Sequence, residues 1–491
     1  FLAYLLLFLF LISVVLSIPS VQTKLAKTLT NSLKESFKTD LIIKKVDLSF
    51  LGSVQLKGVE IRDHHNDTLI FVEKLSTSLR NAKKIIDNNI LLGSVSLDGV
   101  NFHLKNYIGE SNDNLSVFVE SFDTGTQRDS LANPFLLTTS DIYLSNLNFK
   151  LINLNKKDSI SLHIKNAGGS LSDFKILGPE VSAKIRGLYF NENSGVEVTN
   201  LTTDFTYSKT AMLLKETTIE TTNSKVLADI SFLYDREDFQ FFTDKVQLEA
   251  KIFDSDISLK DLHIFYKEFG KDDVLNLTTN LSGTLNNLNL KDIAIKSDKG
   301  LGLIANLKLM NALNAKKGFS LEGSIEDLNA SYTSLTLLLP NILGTFLPKE
   351  IENLGAFSLK GNTYIDTNKL DVLVDVFTNI GSAKADLKFT NTASFNNANY
   401  IGNITLNEFN FGKLFNESLL GKASLVLDLN GTGFNLETIN SGVIGAIKKL
   451  EFNNYTYQNI NINGLFLNKL FTGNLNINDQ FLQLKLNGLV D

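Results

Sequence analysis

The chain has 491 residues, 43% hydrophobic and 20% charged, with a net charge of −6 at pH 7. Leu, Ile, Val and Phe are too abundant for disorder, and 35 Phe with five Pro suit long stretches of sheet. The absence of Cys excludes disulfides, thiolate catalysis and Cys-ligated metals, and no basic stripe with interleaved aromatics supports nucleic-acid binding.

Residues 1–18 run without a charge, at the lower edge of what spans a bilayer, and read as an uncleaved transmembrane anchor. A signal peptide cleaved near Ser17 is the other reading. Over 19–40 a juxtamembrane amphipathic helix is expected, capped by Ser20, with Val21, Leu25, Leu29, Leu33 and Phe37 on one face. Lys24, Lys27, Lys34 and Lys38 pull this side toward the cytoplasm, so the residues leave the orientation open. Phe1 in place of Met, and the abrupt stop of the strand-like run Phe481 to Val490, suggest a piece of a longer protein.

The most informative pattern comes next. Val54-Gln-Leu56-Lys-Gly58-Val59-Glu-Ile61 returns as Val95-Ser-Leu97-Asp-Gly99-Val100-Asn-Phe102. It returns again as Ile142-Tyr-Leu144-Ser-Asn146-Leu147-Asn-Phe149 and as Ile257-Ser-Leu259-Lys-Asp261-Leu262-His-Ile264. Each copy has two apolar residues at strand spacing, a Gly, Asn or Asp, then two more apolar residues one step out of phase. Side chains alternate along a strand, so the slip would send the second pair to the other face unless an extra residue intervenes. The reading is a strand bent at a β-bulge on Gly58, Gly99, Asn146 or Asp261, with one continuous apolar face.

Farther along, residues 112–122 suggest a short amphipathic helix and 124–134 a surface loop. Alternation dominates from Phe135 to Met310. A second motif, seen in Leu281-Ser-Gly283, Leu321-Glu-Gly323, Leu359-Lys-Gly361, Leu429-Asn-Gly431 and Leu486-Asn-Gly488, puts Gly two residues after an inward Leu. The one break in the strand pattern is 331–354, where apolar residues recur at helical spacing around Pro340 and Pro348 and predict a helical cap or plug. The expected organisation is therefore anchor 1–18, helix 19–40, sheet 41–330, cap 331–354 and sheet again over 355–491. At about 15 residues per strand and turn, the body holds on the order of thirty strands.

One-sided alternation means a sheet with one wet face, and a large apolar face must close into a barrel, meet a second sheet or fold into a trough. Enzymatic signals are scarce. His103, His163 and His263 alternate with apolar neighbours and read as outward residues. His64-His65, between Asp63 and Asp67, reads first as a solvated turn and second as an adventitious metal ligand pair. No HExxH, GxSxG or GxxxxGK[ST] occurs. No catalytic residue, metal or cofactor is expected.

The segment from Phe1 to Leu104 resembles the AsmA-like superfamily of Gram-negative envelope proteins, and within it the TamB (translocation and assembly module) group. The likeness rests on the anchor, Ile18-Pro19-Ser20-Val21, the amphipathic helix and Ile43-Lys-Lys-Val46-Asp-Leu48. Gly52 to Asp63, Leu69 to Leu75 and Val95 to Val100 extend it. The resemblance implies a mainly β fold. An N-terminal transmembrane helix would be followed by an elongated antiparallel β-sheet folded into a U-shaped apolar groove (a β-taco of repeating-groove type), with a few short helices. It implies a single-pass inner-membrane protein with its β body in the periplasm. It also implies a role in outer-membrane biogenesis and protein secretion, phospholipids as cargo and an outer-membrane barrel of the BamA superfamily as partner. The groove lining would include Val54, Leu56, Val59, Ile61, Val95, Leu97, Val100, Phe102, Ile142, Leu144, Leu147, Phe149, Leu259, Leu262 and Ile264. The alternative is an exported structural or adhesive β-repeat protein with a filled core.

Overall fold

The computed structural model describes residues 20–24, 27–28, 30–31, 40–48, 53–79, 89–120, 136–155, 160–178, 180–314, 317–392, 397–433 and 439–490. The expected anchor at 1–18 and the loop at 124–134 lie outside these residues. Of the helix expected over 19–40, residues 20–24, 27–28, 30–31 and 40 are described; all are helical except Asp40, which leads into the first strand. Among the described residues no helix is long and apolar enough to cross a membrane. The chain is mainly β, with twenty-four strands and a few short helices among the described residues. It divides into two units, Phe1–Ala250 and Lys251–Asp491.

In the first unit the strands are β1 Leu41–Leu48, β2 Ser53–Arg62, β3 Thr68–Leu79, β4 Asn89–Asn106 and β5 Leu136–Asn153. They continue as β6 Ile160–Leu177, β7 Glu180–Glu192, β8 Glu197–Tyr207, β9 Ala211–Thr221 and β10 Lys225–Leu233. Each pairs with the next. β4 to β6 run 18 residues each, so one bent strand does the work of two short ones and the strand count falls below the sequence-based figure. One expectation fails here: β4 and β5 are parallel, not antiparallel. The connection over 107–135, which contains helix α1 (Asn114–Glu120), is long enough to carry the chain back to the end where β4 began.

The first three copies of the repeat are stacked side by side, and β1 and β3 join the same rows. Val46, Leu56, Leu75, Leu97 and Leu144 form one row across β1 to β5, and Leu41, Ile61, Ile70, Phe102 and Phe149 form another. Between them run Ile43, Val59, Val72 and Val100, and beyond them Leu48, Val54, Thr77, Val95 and Ile142. Gly58, Gly99 and Asn146 all sit at positive φ (63°, 68° and 54°), at the slip point of each strand. The apolar residues on both sides of the slip belong to one cluster, with Ile43, Val46, Val59, Val72 and Val100 buried and Leu56, Ile61, Leu75 and Leu97 packed against them.

At the slip itself, however, no extra residue is inserted in the ladders from β1 to β4. Leu56 pairs with Leu75 and Ile61 with Ile70, the same register on both sides of Gly58. All five strands slip at the same height, where Lys44-Lys45, Lys57-Gly58, Glu73-Lys74, Asp98-Gly99 and Ser145-Asn146 are aligned. In β2 and β4 a left-handed kink at Gly58 and Gly99 therefore replaces the expected bulge, while β1 and β3 slip at the same height without a left-handed residue. Register shifts, the mark of bulges, lie away from the slip in the early ladders, at Ile61/Arg62 between β2 and β3 and at Thr77/Leu79 between β3 and β4. The Leu144/Leu147 shift between β5 and β6 falls on Asn146, where a bulge was expected, and further shifts follow in the β6–β7 and β7–β8 ladders.

β11 (Gln247–Ser258) spans the division between the units. The second unit continues with helix α2 (Leu259–Phe265) and the strands β12 Val274–Gly283, β13 Leu288–Ser297, β14 Gly302–Met310 and β15 Ser320–Ala330. Helix α3 (Tyr332–Leu338) and the short turns Leu343–Phe346 and Lys349–Leu354 follow, divided at Pro340 and Pro348. Then come β16 Phe357–Asp366, β17 Lys369–Thr378, β18 Gly381–Thr390, β19 Asn399–Asn410 and β20 Leu420–Thr432. The last are β21 Asn440–Phe452, β22 Tyr455–Leu467, β23 Leu470–Asn478 and β24 Gln483–Val490. From β12 to β24 every strand is antiparallel to the next.

The fourth copy of the repeat is not a bent strand. Leu259 to Phe265 form α2, whose N-cap Ser258 accepts from the Lys260 amide. Leu259 and Leu262 are three residues apart, a spacing that suits one helix face as well as it suits a slipped strand, and the Ser cap decides for the helix. Asp261 is thus a first-turn helix residue and not a strand bulge. His263 likewise leaves the outer face of a strand: its Nδ1 lies 2.6 Å from the Phe269 carbonyl.

Candidate functional site

The expected lining residues of the first unit do share a face. Val59, Val95, Val100 and Ile142 are buried, while Val54, Leu56, Ile61, Leu97, Phe102, Leu144, Leu147 and Phe149 are half-buried. Phe102 and Phe149 meet edge to face at 5.3 Å between centroids, where the parallel register sets them opposite each other. The opposite face is polar. His103, Lys150 and His163 form a row there, and burial pushes both imidazoles below their ordinary pKa, followed by Lys150 for His103 and by Lys165 and then Lys150 for His163. At the kink the outer charges are organised. Lys45 and Lys57 bracket Asp47 at 3.0 and 3.3 Å, and Asp98 accepts from Ser145 at 2.7 Å and Asn146 at 2.8 Å. The Ser145 and Asn146 bonds, with the Gly99 amide, hold the Asp98 carboxyl below its usual range.

In the second unit Leu259 is fully buried beneath a cluster with Leu275, Leu301 and Ala330, against which Leu262, Leu335 and Leu338 pack. The half-buried Ile264 lies on the same helix. α3 covers this cluster. Leu338 accepts the Gly270 amide at 2.9 Å and Asn341 donates to the Lys267 carbonyl at 2.7 Å, so the cap segment is bonded to the loop after α2. Leu259, Leu262 and Ile264 therefore do not continue the rows of the first unit.

The longest apolar rows are ones the sequence reading did not name as lining. Leu290, Leu307, Gly323, Thr363, Val372 and Leu387 stand opposite one another across β13 to β18. Leu328, Leu359, Val376, Ala383, Leu406, Leu425, Ile447, Ile460, Ile477 and Leu484 do the same across β15 to β24. A Cβ on Gly323 would come within 3.1 Å of Leu307 Cδ2 and Thr363 Cγ2, so its missing side chain makes room on this face. The Leu-x-Gly motif was the available signal: Leu321 and Gly323 both point to the apolar side, Leu321 facing Leu309 and Ile365.

Burial separates an open face from a filled core. Side chains between two packed sheets are almost wholly enclosed. In β18 the inward Ala383, Ala385, Leu387 and Phe389 are half-buried, and no position of that strand is buried. β16 has the same character. An open concavity of about 530 Å³ lies over β13 to β18, and the Leu290 to Leu387 row runs through it. That volume falls in the range of small-ligand sites. The charges of these strands alternate with the apolar row, with Asp375 facing Lys384 and Asp371 facing Lys388 on the other face.

No family model, curated protein or solved structure matches this chain.

Proposed function

We propose that this chain is a TamB-like, inner-membrane-anchored protein of outer-membrane biogenesis. Its bent strands form a U-shaped groove in the periplasm that holds phospholipid acyl chains for transfer between membranes, with assistance to outer-membrane protein assembly as the companion role. The observation that carries the reading is the half-buried apolar side of β16 and β18, within the concavity of about 530 Å³ over β13 to β18. Exposed apolar surface of this extent is costly in water and marks a site that takes an apolar partner. Acyl chains fit because the rows present aliphatic and aromatic side chains, alternating along each strand with charged residues such as Lys308, Asp371 and Lys388 that also border the concavity. Such a lining discriminates poorly between headgroups, so several phospholipids would be carried. No chemical step is required, and the role is that of a conduit and not an enzyme. A BamA-superfamily barrel in the outer membrane is the partner this reading calls for.

The test is mass spectrometry of lipids retained by the chain after purification in mild detergent, beside a Leu307→Asp Leu387→Asp variant. Phospholipid bound by the parent and lost from a variant that keeps its β circular dichroism supports the conduit. A folded parent carrying no lipid would favour the filled-core structural protein.

A further inference from the structure

We propose that His64, His65 and Glu110 form a binding site for a divalent, imidazole-preferring cation of the zinc type, which clamps the β2–β3 turn to the segment leaving β4. His64 Nε2 lies 2.8 Å from Glu110 Oε2, and His65 Nε2 lies 2.5 Å from Glu110 Oε1. One ligand atom from each of the three residues lies within 4.8 Å of the others. Two imidazoles and a carboxylate are a common zinc donor set, and the half-exposed side chains leave a fourth position to water. Tetrahedral ligands about 2.0–2.2 Å from zinc stand roughly 3.3 Å apart, so the observed spacings need to open by less than 1 Å.

The turn is preorganised, which the solvated-turn expectation missed. Asp63 is buried, and its Oδ1 accepts from the amides of His65 and Asp67, both at 3.0 Å. Its Oδ2 accepts from Tyr107 and Asn114, both at 2.8 Å. The Tyr107 ring stacks on His65 at 3.9 Å and fixes the plane of that imidazole. Asn155 holds the other side, accepting from the Gly109 amide and donating to the Tyr107 carbonyl, both at 3.0 Å. Both ligand-bearing segments are thus held in place by groups other than the ligands themselves, the outer-shell support that metal sites depend on. The cation would secure the point where the chain departs for the parallel crossover to β5.

Zinc chloride titrated into the purified 491-residue chain, read by bound metal per chain and by thermal midpoint, tests the proposal. One zinc per chain and a raised midpoint are expected, with binding abolished in His64→Ala His65→Ala and unchanged in His163→Ala. Glu110→Gln weakens binding by about 10-fold or more, and it removes no buried group, so it keeps the test valid if the double variant misfolds. No zinc bound by the parent, or equal binding by parent and Glu110→Gln, overturns the site and leaves an ordinary His–Glu hydrogen-bonded cluster.

Discussion

Gly99 and Asn146 share a row of the parallel β4–β5 pair, both at positive φ, and the Asn146 side chain donates to Asp98, the residue before Gly99. Two repeats 47 residues apart in sequence are thereby kinked at one height, and the kink keeps Leu97 with Val100 and Leu144 with Leu147 on the apolar side. Left-handed backbone costs an L-residue roughly 1–2 kcal/mol, least for Asn and nothing for Gly. Gly99→Ala adds this cost, and its Cβ would also meet Glu73 Cβ at 2.7 Å. We expect it to lower stability by at least about 1 kcal/mol, while Asn146→Gly changes little. Urea midpoints followed by circular dichroism compare the two, and equal midpoints would contradict a required kink.

Gly323 lines the second unit's concavity, and a side chain there would press on Leu307 and Thr363, so a larger residue crowds the row without adding a charge. Gly323→Val is expected to reduce retained phospholipid while costing no more than about 3 kcal/mol. Lipid per folded chain is the measurement. Undiminished lipid would place the cargo elsewhere.

Asp63 organises four donors, and Asn114, one of them, is fully buried. Removing the carboxylate takes the acceptor from the His65 and Asp67 amides and one of two acceptors from Tyr107 and from the buried Asn114, which keep Asp67 and the His103 carbonyl. Asp63→Ala should destabilise the chain by about 3 kcal/mol, through unsatisfied buried groups more than through lost attraction. Thermal unfolding in the presence of a chelator measures this free of any bound metal, and a loss under about 0.5 kcal/mol would be too small for a buried network.

Asp479 accepts the Tyr455 hydroxyl and the amides of Gln458 (3.0 Å) and Phe481 (3.1 Å). The Tyr455 bond leads in holding the Asp479 carboxyl below its usual range, and the Tyr455 phenol is pushed up to about 12. A lowered carboxyl contributes stability above its ordinary pKa of about 3.8, and that contribution is lost as pH falls through the folded value. A raised phenol contributes fully below about pH 10 and loses its contribution as pH rises toward the folded value. The difference in thermal midpoint between parent and Asp479→Asn should therefore shrink on acidification below about pH 4. The difference between parent and Tyr455→Phe should shrink above about pH 10. Differences independent of pH would mean the pair is not coupled as the geometry indicates.

Much of the first unit was legible because its signal is local. Apolar pairs at strand spacing around Gly58, Gly99 and Asn146 state which residues share a face, and the backbone at those residues is left-handed as the residue types suggest. The same signal misled at Leu259 and Asp261, where three-residue spacing fits a helix equally and the Ser258 cap decides. The second unit's rows were less legible. Leu290, Leu307, Val372 and Leu387 are far apart in the chain and become neighbours only through strand pairing.

Alternation, the Gly and Asn kink points and the paucity of Pro determined by themselves that this is a β protein with one apolar face, since side-chain direction follows from local backbone geometry. The tertiary structure alone decided how the kinks align. It set β4 parallel to β5, let kinks at Gly58 and Gly99 stand in for inserted residues, left the rows of β16 and β18 half-buried, and brought Glu110 to His64 and His65. Each of those is a matter of which segments meet, and register between distant strands is set by the packing of whole faces, which no short stretch of sequence encodes.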